Sequence, residues 1–167
     1  MSLVDGPRDS YQNDCVSKSY PALPCSVPRA RSAITEFAAA AGIAGERLES
    51  IRLAASEAVT NAVVHAYGDV PGSIHVTAAV ASDELCVLIS DDGRGMHPRT
   101  DSPGLGVGLA LIAQLSDGME IVSRGAGGTE LRMRFSLQTG GESSEDQSRG
   151  SSVSATAPAS CTFSITT

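Results

Sequence analysis

Glu57, Asn61 and His65 stand at i, i+4 and i+8 in the middle of the chain, a spacing that stacks all three as one stripe on a helix. A carboxylate in that stripe can take a proton from a hydroxyl or a water. A carboxamide oxygen one turn further on is a hard donor of the kind magnesium accepts. The stripe lies beside an apolar face and not within it, which leaves a plain solvated stripe as the other reading. The alanines around Glu57 point to burial, and a carboxylate is buried only for a reason. Three glycine clusters follow: Asp91-Asp92-Gly93-Arg94-Gly95, Gly104-Leu105-Gly106-Val107-Gly108 and Gly127-Gly128-Thr129. Glycine lets backbone amides come close to phosphate oxygens, and the second cluster opens a helix whose N-terminal amides favour anions. Taken singly, each cluster also reads as ordinary loop geometry.

Two other phosphate motifs fail on the same letters. A Walker P-loop needs Gly-Lys-Ser or Gly-Lys-Thr, whereas the lone lysine is Lys18, beside no glycine-rich loop. A dinucleotide fingerprint fails as well, because Gly104, Gly106 and Gly108 alternate and Leu111 fills the last small-residue slot when the count starts at Gly106.

The elements that must hold these residues can be read from apolar spacing. Ala30, Ala33, Ile34, Phe37, Ala38 and Ala41 form one helical face that stops at Gly42. From Glu46 to Tyr67 a second, mostly buried helix carries Leu48, Ile51, Ala55, Ala58, Val59, Ala62 and Ala66, closed by Gly68 and Pro71. Alternation through Ile74, Val76, Ala78 and Val80, a Ser82-Asp83 turn and then LCVLIS predict two antiparallel strands, the second running into Asp91. VGLALIAQL reads as a short helix. EIVS and TELRMRFSL read as strands, with Leu131, Met133, Phe135 and Leu137 on one face and Glu130, Arg132 and Arg134 on a solvated one. The expected order is strand, two helices, two strands, helix, two strands. That order predicts an α+β two-layer sandwich with helices on one face of a mixed, mainly antiparallel sheet.

The chain has 167 residues, enough for one ordinary domain with tails. With three Phe, three Tyr and no Trp, its core must be built from aliphatic side chains. Residues 1–15 read as a flexible leader, 16–137 as the working domain, and 138–167 as a low-complexity, disordered tail rich in Ser, Gly, Thr and acidic residues. Lys and Arg total 12 against 19 acidic residues, for a net charge of -7. Neither the balance nor any local run supplies a surface for nucleic acid. No apolar stretch is long enough for a bilayer, and the N-terminus lacks a signal-peptide layout, so the expectation is a cytoplasmic protein with no membrane partner. Cys15, Cys25, Cys86 and Cys161 lie far apart without a CxxC pair and read as free thiols.

In order and spacing, SEAVTNAVVHAY, DDGRGM, GLGVGLALI and GGTELRMRF resemble the N, G1, G2 and G3 boxes of the GHKL ATPases, and the short domain resembles the anti-sigma-factor serine/threonine kinases of the RsbW and SpoIIAB type. The resemblance covers about residues 20–137. It implies the Bergerat-type sandwich, with ATP and Mg2+ as ligands. It also implies Glu57 as general base, Asn61 as the magnesium ligand, Asp91 as acceptor for the adenine amino group, and Gly93 and Gly95 in the turn beneath the base. Gly104, Gly106 and Gly108 would close over the phosphates, and Thr129 would support the adenine end.

The implied reaction is phosphorylation of a serine on a STAS-domain anti-sigma-factor antagonist, which thereby regulates a sigma factor; both proteins are implied partners, along with a second copy of the chain as a homodimer. Arg99 and His97 fall in the implied lid and read as solvated. His65 reads as a packing histidine, and Asp92 and Arg94 as solvent-facing. A sensor histidine kinase would need an upstream phosphoacceptor histidine, and residues 1–64 contain none. The alternative from another class is an ATP-binding module that sequesters a partner without phosphorylating it.

Overall fold

The computed structural model describes residues 15–68, 70–94, 105–125 and 127–137. Its elements are β1 (Cys15–Pro21), α1 (Ser26–Ala40), α2 (Gly45–His65), β2 (Ser73–Ala81), β3 (Glu84–Asp91), α3 (Leu105–Leu115), β4 (Gly118–Ser123) and β5 (Thr129–Ser136), the order expected from the sequence. The five strands make one sheet in the order β1-β2-β3-β5-β4. All four pairings are antiparallel, so the mixed character allowed for in the sheet is not found among the described strands.

Local chemistry accounts for where the elements start and stop. α1 ends in a Schellman motif: the Gly42 N–H donates to Ala39 O at 3.0 Å and the Ile43 N–H to Ala38 O at 3.1 Å. Gly42 takes φ +89°, a conformation that a side chain resists. Ile43 then tucks its apolar side chain into the core. Ala41, expected on the apolar face, is instead the exposed cap residue. The β2–β3 hairpin turns on Ser82 and Asp83, both at positive φ, as a two-residue turn matching the strand twist requires.

Alternate residues of each central strand point at the helices. On β5 these are Leu131, Met133 and Phe135, all buried, and they meet Ile34 of α1, Ile51 and Val59 of α2 and Ile112 of α3 in one apolar cluster. The opposite sheet face is polar, as expected, and its charges are paired: Arg132 with Glu130 at 2.6 Å and with Glu120 at 3.4 Å, and Arg134 with Glu84 at 3.9 Å. Cys15 and Cys25 are exposed thiols and Cys86 a buried one; Cys161 lies outside the described residues.

This topology decides where the glycine clusters meet. β3 runs out at Asp91, in register with Thr129 at the start of β5. α2 ends beside the same sheet end, where Ala66 O accepts the Arg94 N–H at 2.8 Å.

Candidate nucleotide-binding site

Glu57 and Asn61 project from α2 one turn apart, as their spacing dictates. Asn61 sits within the buried set, at 6% exposure, where the sequence placed the whole stripe beside the apolar face. Glu57 is half-buried and His65 exposed, so His65 is not the packing histidine expected. The stripe therefore tilts, deepest at Asn61. The Asn61 Nδ2 is buried with no hydrogen-bond partner among the described residues, a costly state for a carboxamide unless a ligand fills it.

Opposite stands Gly108 of α3. A Cβ there would lie 3.2 Å from Glu57 Oε2, 3.4 Å from Asn61 Nδ2 and 3.5 Å from Asn61 Oδ1. A methyl there would sit tight against the Glu57 carboxylate and in contact with Asn61, so glycine leaves the space beside the polar pair open. Gly106 lies in the first turn of the same helix. Gly95, Gly104, His97 and Arg99 lie outside the described residues.

Asp91 is 4% exposed at the end of β3. Burial pushes its carboxyl above the usual carboxylate range; the backbone N–H groups of Gly93 and Thr129 pull the other way, Asp92 adds to the rise, and Arg124 opposes it. The Gly93 N–H reaches Asp91 Oδ1 at 2.9 Å. Thr129 is buried beside it. Gly127 and Gly128 precede Thr129 with φ +100° and +93°, and a Cβ on Gly128 would overlap the Asp91 carbonyl. The G1 and G3 clusters thus close on each other through backbone contact that only glycine allows.

Gly93 is equally constrained, because a Cβ would run into the Ala66 carbonyl. The Gly93→Ala chain is expected to lose roughly 2–4 kcal/mol of stability, read as a lower midpoint in thermal or urea unfolding; an unchanged midpoint would contradict the close approach.

The donor set fits a hard cation. Among the described residues no three His, Cys, Asp or Glu side chains converge. A metal here would combine the carboxamide oxygen of Asn61 with phosphate oxygens and water, the coordination that magnesium takes with nucleotides.

Tyr67, His75 and Arg124 were not singled out from the sequence, although all three contact the site's framework. The Tyr67 hydroxyl accepts the Asp92 N–H at 2.9 Å, and the Asp92 carboxylate meets His75 and Arg124. Only the HAY ending of the N box drew attention to Tyr67, and nothing in the text of β2 or of the β4–β5 turn marks the other two.

Three helices on one face of a five-stranded antiparallel sheet make the α+β sandwich of an ATP-binding domain of the GHKL type. The sequence profile described as the histidine kinase-like ATPase domain matches residues 20–135, and the chain belongs to that family.

Among its relatives, the anti-sigma F factor of Caldanaerobacter subterraneus subsp. tengcongensis is 30% identical over 115 residues, covering 62% of this chain and 80% of the relative. The serine-protein kinase RsbW of Listeria monocytogenes is 30% identical over 125 residues, covering 65% and 80%. A crystal structure of the RsbU and RsbW domains of a Mycobacterium tuberculosis protein superposes with TM-score 0.59 at 29% identity over 74% of this chain. The match spans 32% of that longer chain. No described helix is long and apolar enough to cross a membrane.

Proposed function

We propose that this chain is an ATP-dependent serine/threonine protein kinase that binds a sigma factor and phosphorylates a serine of a STAS-domain anti-sigma-factor antagonist. What supports the reading is the pairing of Glu57 with Asn61 one turn apart, opposite the cradle at Gly108, in a family whose relatives include an anti-sigma F factor and the kinase RsbW.

In this scheme Asp91 accepts the adenine amino group, Thr129 backs the same end, and the amides of Gly106 and Gly108 face the phosphates. Asn61 would hold magnesium, which neutralises phosphate charge when bound. Glu57 takes the proton of the antagonist's serine hydroxyl as its oxygen bonds to the γ-phosphorus and the bond from that phosphorus to the β–γ bridging oxygen breaks. ADP leaves with that bridging oxygen. The phosphoserine antagonist can no longer compete for the kinase, which leaves the kinase free to hold its sigma factor. The working unit is residues 16–137, acting as a homodimer in the cytoplasm.

The test incubates the purified chain with γ-labelled ATP, magnesium and each STAS-domain protein of the same genome. The expected result is label on one serine of one candidate. Nucleotide binding without transfer to any candidate would favour a sequestering module.

A further inference from the structure

The main chain that follows Asp91 is held from the polar side of the sheet by residues outside the four sequence boxes' glycines and site carboxylates. Ser19 on β1, His75 on β2 and Asp92 after β3 lie in a row. Ser19 Oγ stands 2.8 Å from His75 Nδ1, His75 Nε2 lies 3.2 Å from Asp92 Oδ2, and Arg124 Nη1 donates to Asp92 Oδ1 at 2.5 Å. A carboxylate can only accept, so His75 Nε2 donates to Asp92 while its Nδ1 is paired with the Ser19 hydroxyl.

From the helix side, Tyr67 adds a second grip. Its hydroxyl accepts the Asp92 N–H at 2.9 Å and donates to Ser73 O at 2.5 Å. The chain makes room for that ring at Gly72, where any Cβ would overlap it.

Four tethers therefore fix residues 92–94: the hydroxyl of Tyr67 on the Asp92 amide, His75 with Arg124 on the Asp92 carboxylate, Asp91 on the Gly93 amide, and Ala66 on the Arg94 amide. The third lies within the turn itself, and the fourth comes from the end of α2. The first two are supplied from elsewhere, and they act on the residue next to the buried carboxylate that reads the base. We infer that Tyr67 and Asp92 are positioning residues that pre-set Asp91 for adenine, and so set the preference for ATP over GTP. Guanine offers a carbonyl oxygen where adenine offers an amino group, so a carboxylate held in place rejects it, and one that can swing away rejects it less.

The inference rests on the reading of Asp91 as the adenine acceptor, and the experiment keeps the two apart. The full chain and its Tyr67→Phe, Asp92→Ala and Asp92→Asn variants are titrated with MgATP and MgGTP. Tyr67→Phe and Asp92→Ala are each expected to weaken MgATP by about three- to tenfold, the worth of one hydrogen bond or one exposed ionic contact. MgGTP is left unchanged, so the ATP-to-GTP ratio falls by the same factor. Asp92→Asn keeps an acceptor for Arg124 and is expected to recover part of the ratio.

Loss of stability alone would weaken both nucleotides together. An unchanged ratio in both Tyr67→Phe and Asp92→Ala therefore overturns the inference, whatever happens to the affinities. A wild-type chain that binds MgATP no better than MgGTP would instead overturn the assignment of Asp91 itself.

Discussion

Replacing Glu57 with alanine is expected to leave MgATP binding within about threefold of wild type while slowing phosphotransfer by about 10²–10⁴-fold, the range that a positioned general base contributes. The separation follows from where Glu57 stands. It is half-buried on α2, one turn before the buried Asn61 and against the Gly108 cradle, and among the described residues no hydrogen bond or ion pair ties it to Asp91. In the proposed reaction Glu57 stands beside the phosphates, so removing its carboxylate would also remove a repulsion, and affinity is not expected to fall. Glu57→Gln is the sharper variant, since it preserves shape and loses only the proton acceptor. The measurement is single-turnover transfer of labelled phosphate to the antagonist, with nucleotide affinity read in parallel. Equal loss of binding and transfer would make Glu57 part of the nucleotide cradle and remove its catalytic role.

The second large effect belongs to Asp91. Asparagine at this place keeps an oxygen for the Gly93 amide, which now reaches Asp91 Oδ1. Its nitrogen end, however, would confront the adenine amino group, donor against donor. Losing a charge-assisted hydrogen bond and gaining that clash is expected to weaken MgATP by about 10–100-fold.

The pH dependence of stability should change as well. Burial raises the Asp91 carboxyl in the folded state, so between its ordinary value and the raised one the native chain holds a proton that the unfolded chain has released. Stability contributed by this group therefore falls as pH rises through that window, and the cost persists at neutral pH. The Asp91→Asn chain carries no such cost. It is expected to lose this part of the decline in stability with rising pH, whatever its midpoint at neutral pH owes to the Thr129 amide that the carboxylate also accepts. Titration by isothermal calorimetry and thermal unfolding across that pH range measure both effects. A variant that binds ATP normally would remove Asp91 from the base-binding position, and one that keeps the full decline in stability with rising pH would contradict the raised carboxyl.

Much of this protein is legible in one dimension because its determinants are local. Gly42 ends α1, a two-residue turn joins β2 to β3, and apolar residues recur at the helical or strand period, so element order and the buried face follow from neighbours a few residues apart. The i, i+4 pairing of Glu57 with Asn61 is equally local. What the letters left open depended on partners far away in sequence. Whether the polar stripe of α2 was wet or buried depended on α3 arriving at Gly108, and the tilt that buries Asn61 and exposes His65 exists only once that helix is in place.

The Schellman cap that turned Ala41 outward needed Ile43 to find the core. The all-antiparallel sheet depended on β5 inserting between β3 and β4, which brings Thr129 into register with Asp91 across 38 positions of chain. The grip on Asp92 shows the division most plainly. Ser19, His75 and Arg124 carry no motif and stand on β1, on β2 and in the β4–β5 turn, and only the strand order β1-β2-β3-β5-β4 sets them at one end of the sheet. Periodicity fixes which way a side chain faces along its own element, because that is settled by backbone geometry within a turn or two. Which side chains share a site is settled by how the elements pack, a long-range choice that no short window of sequence contains.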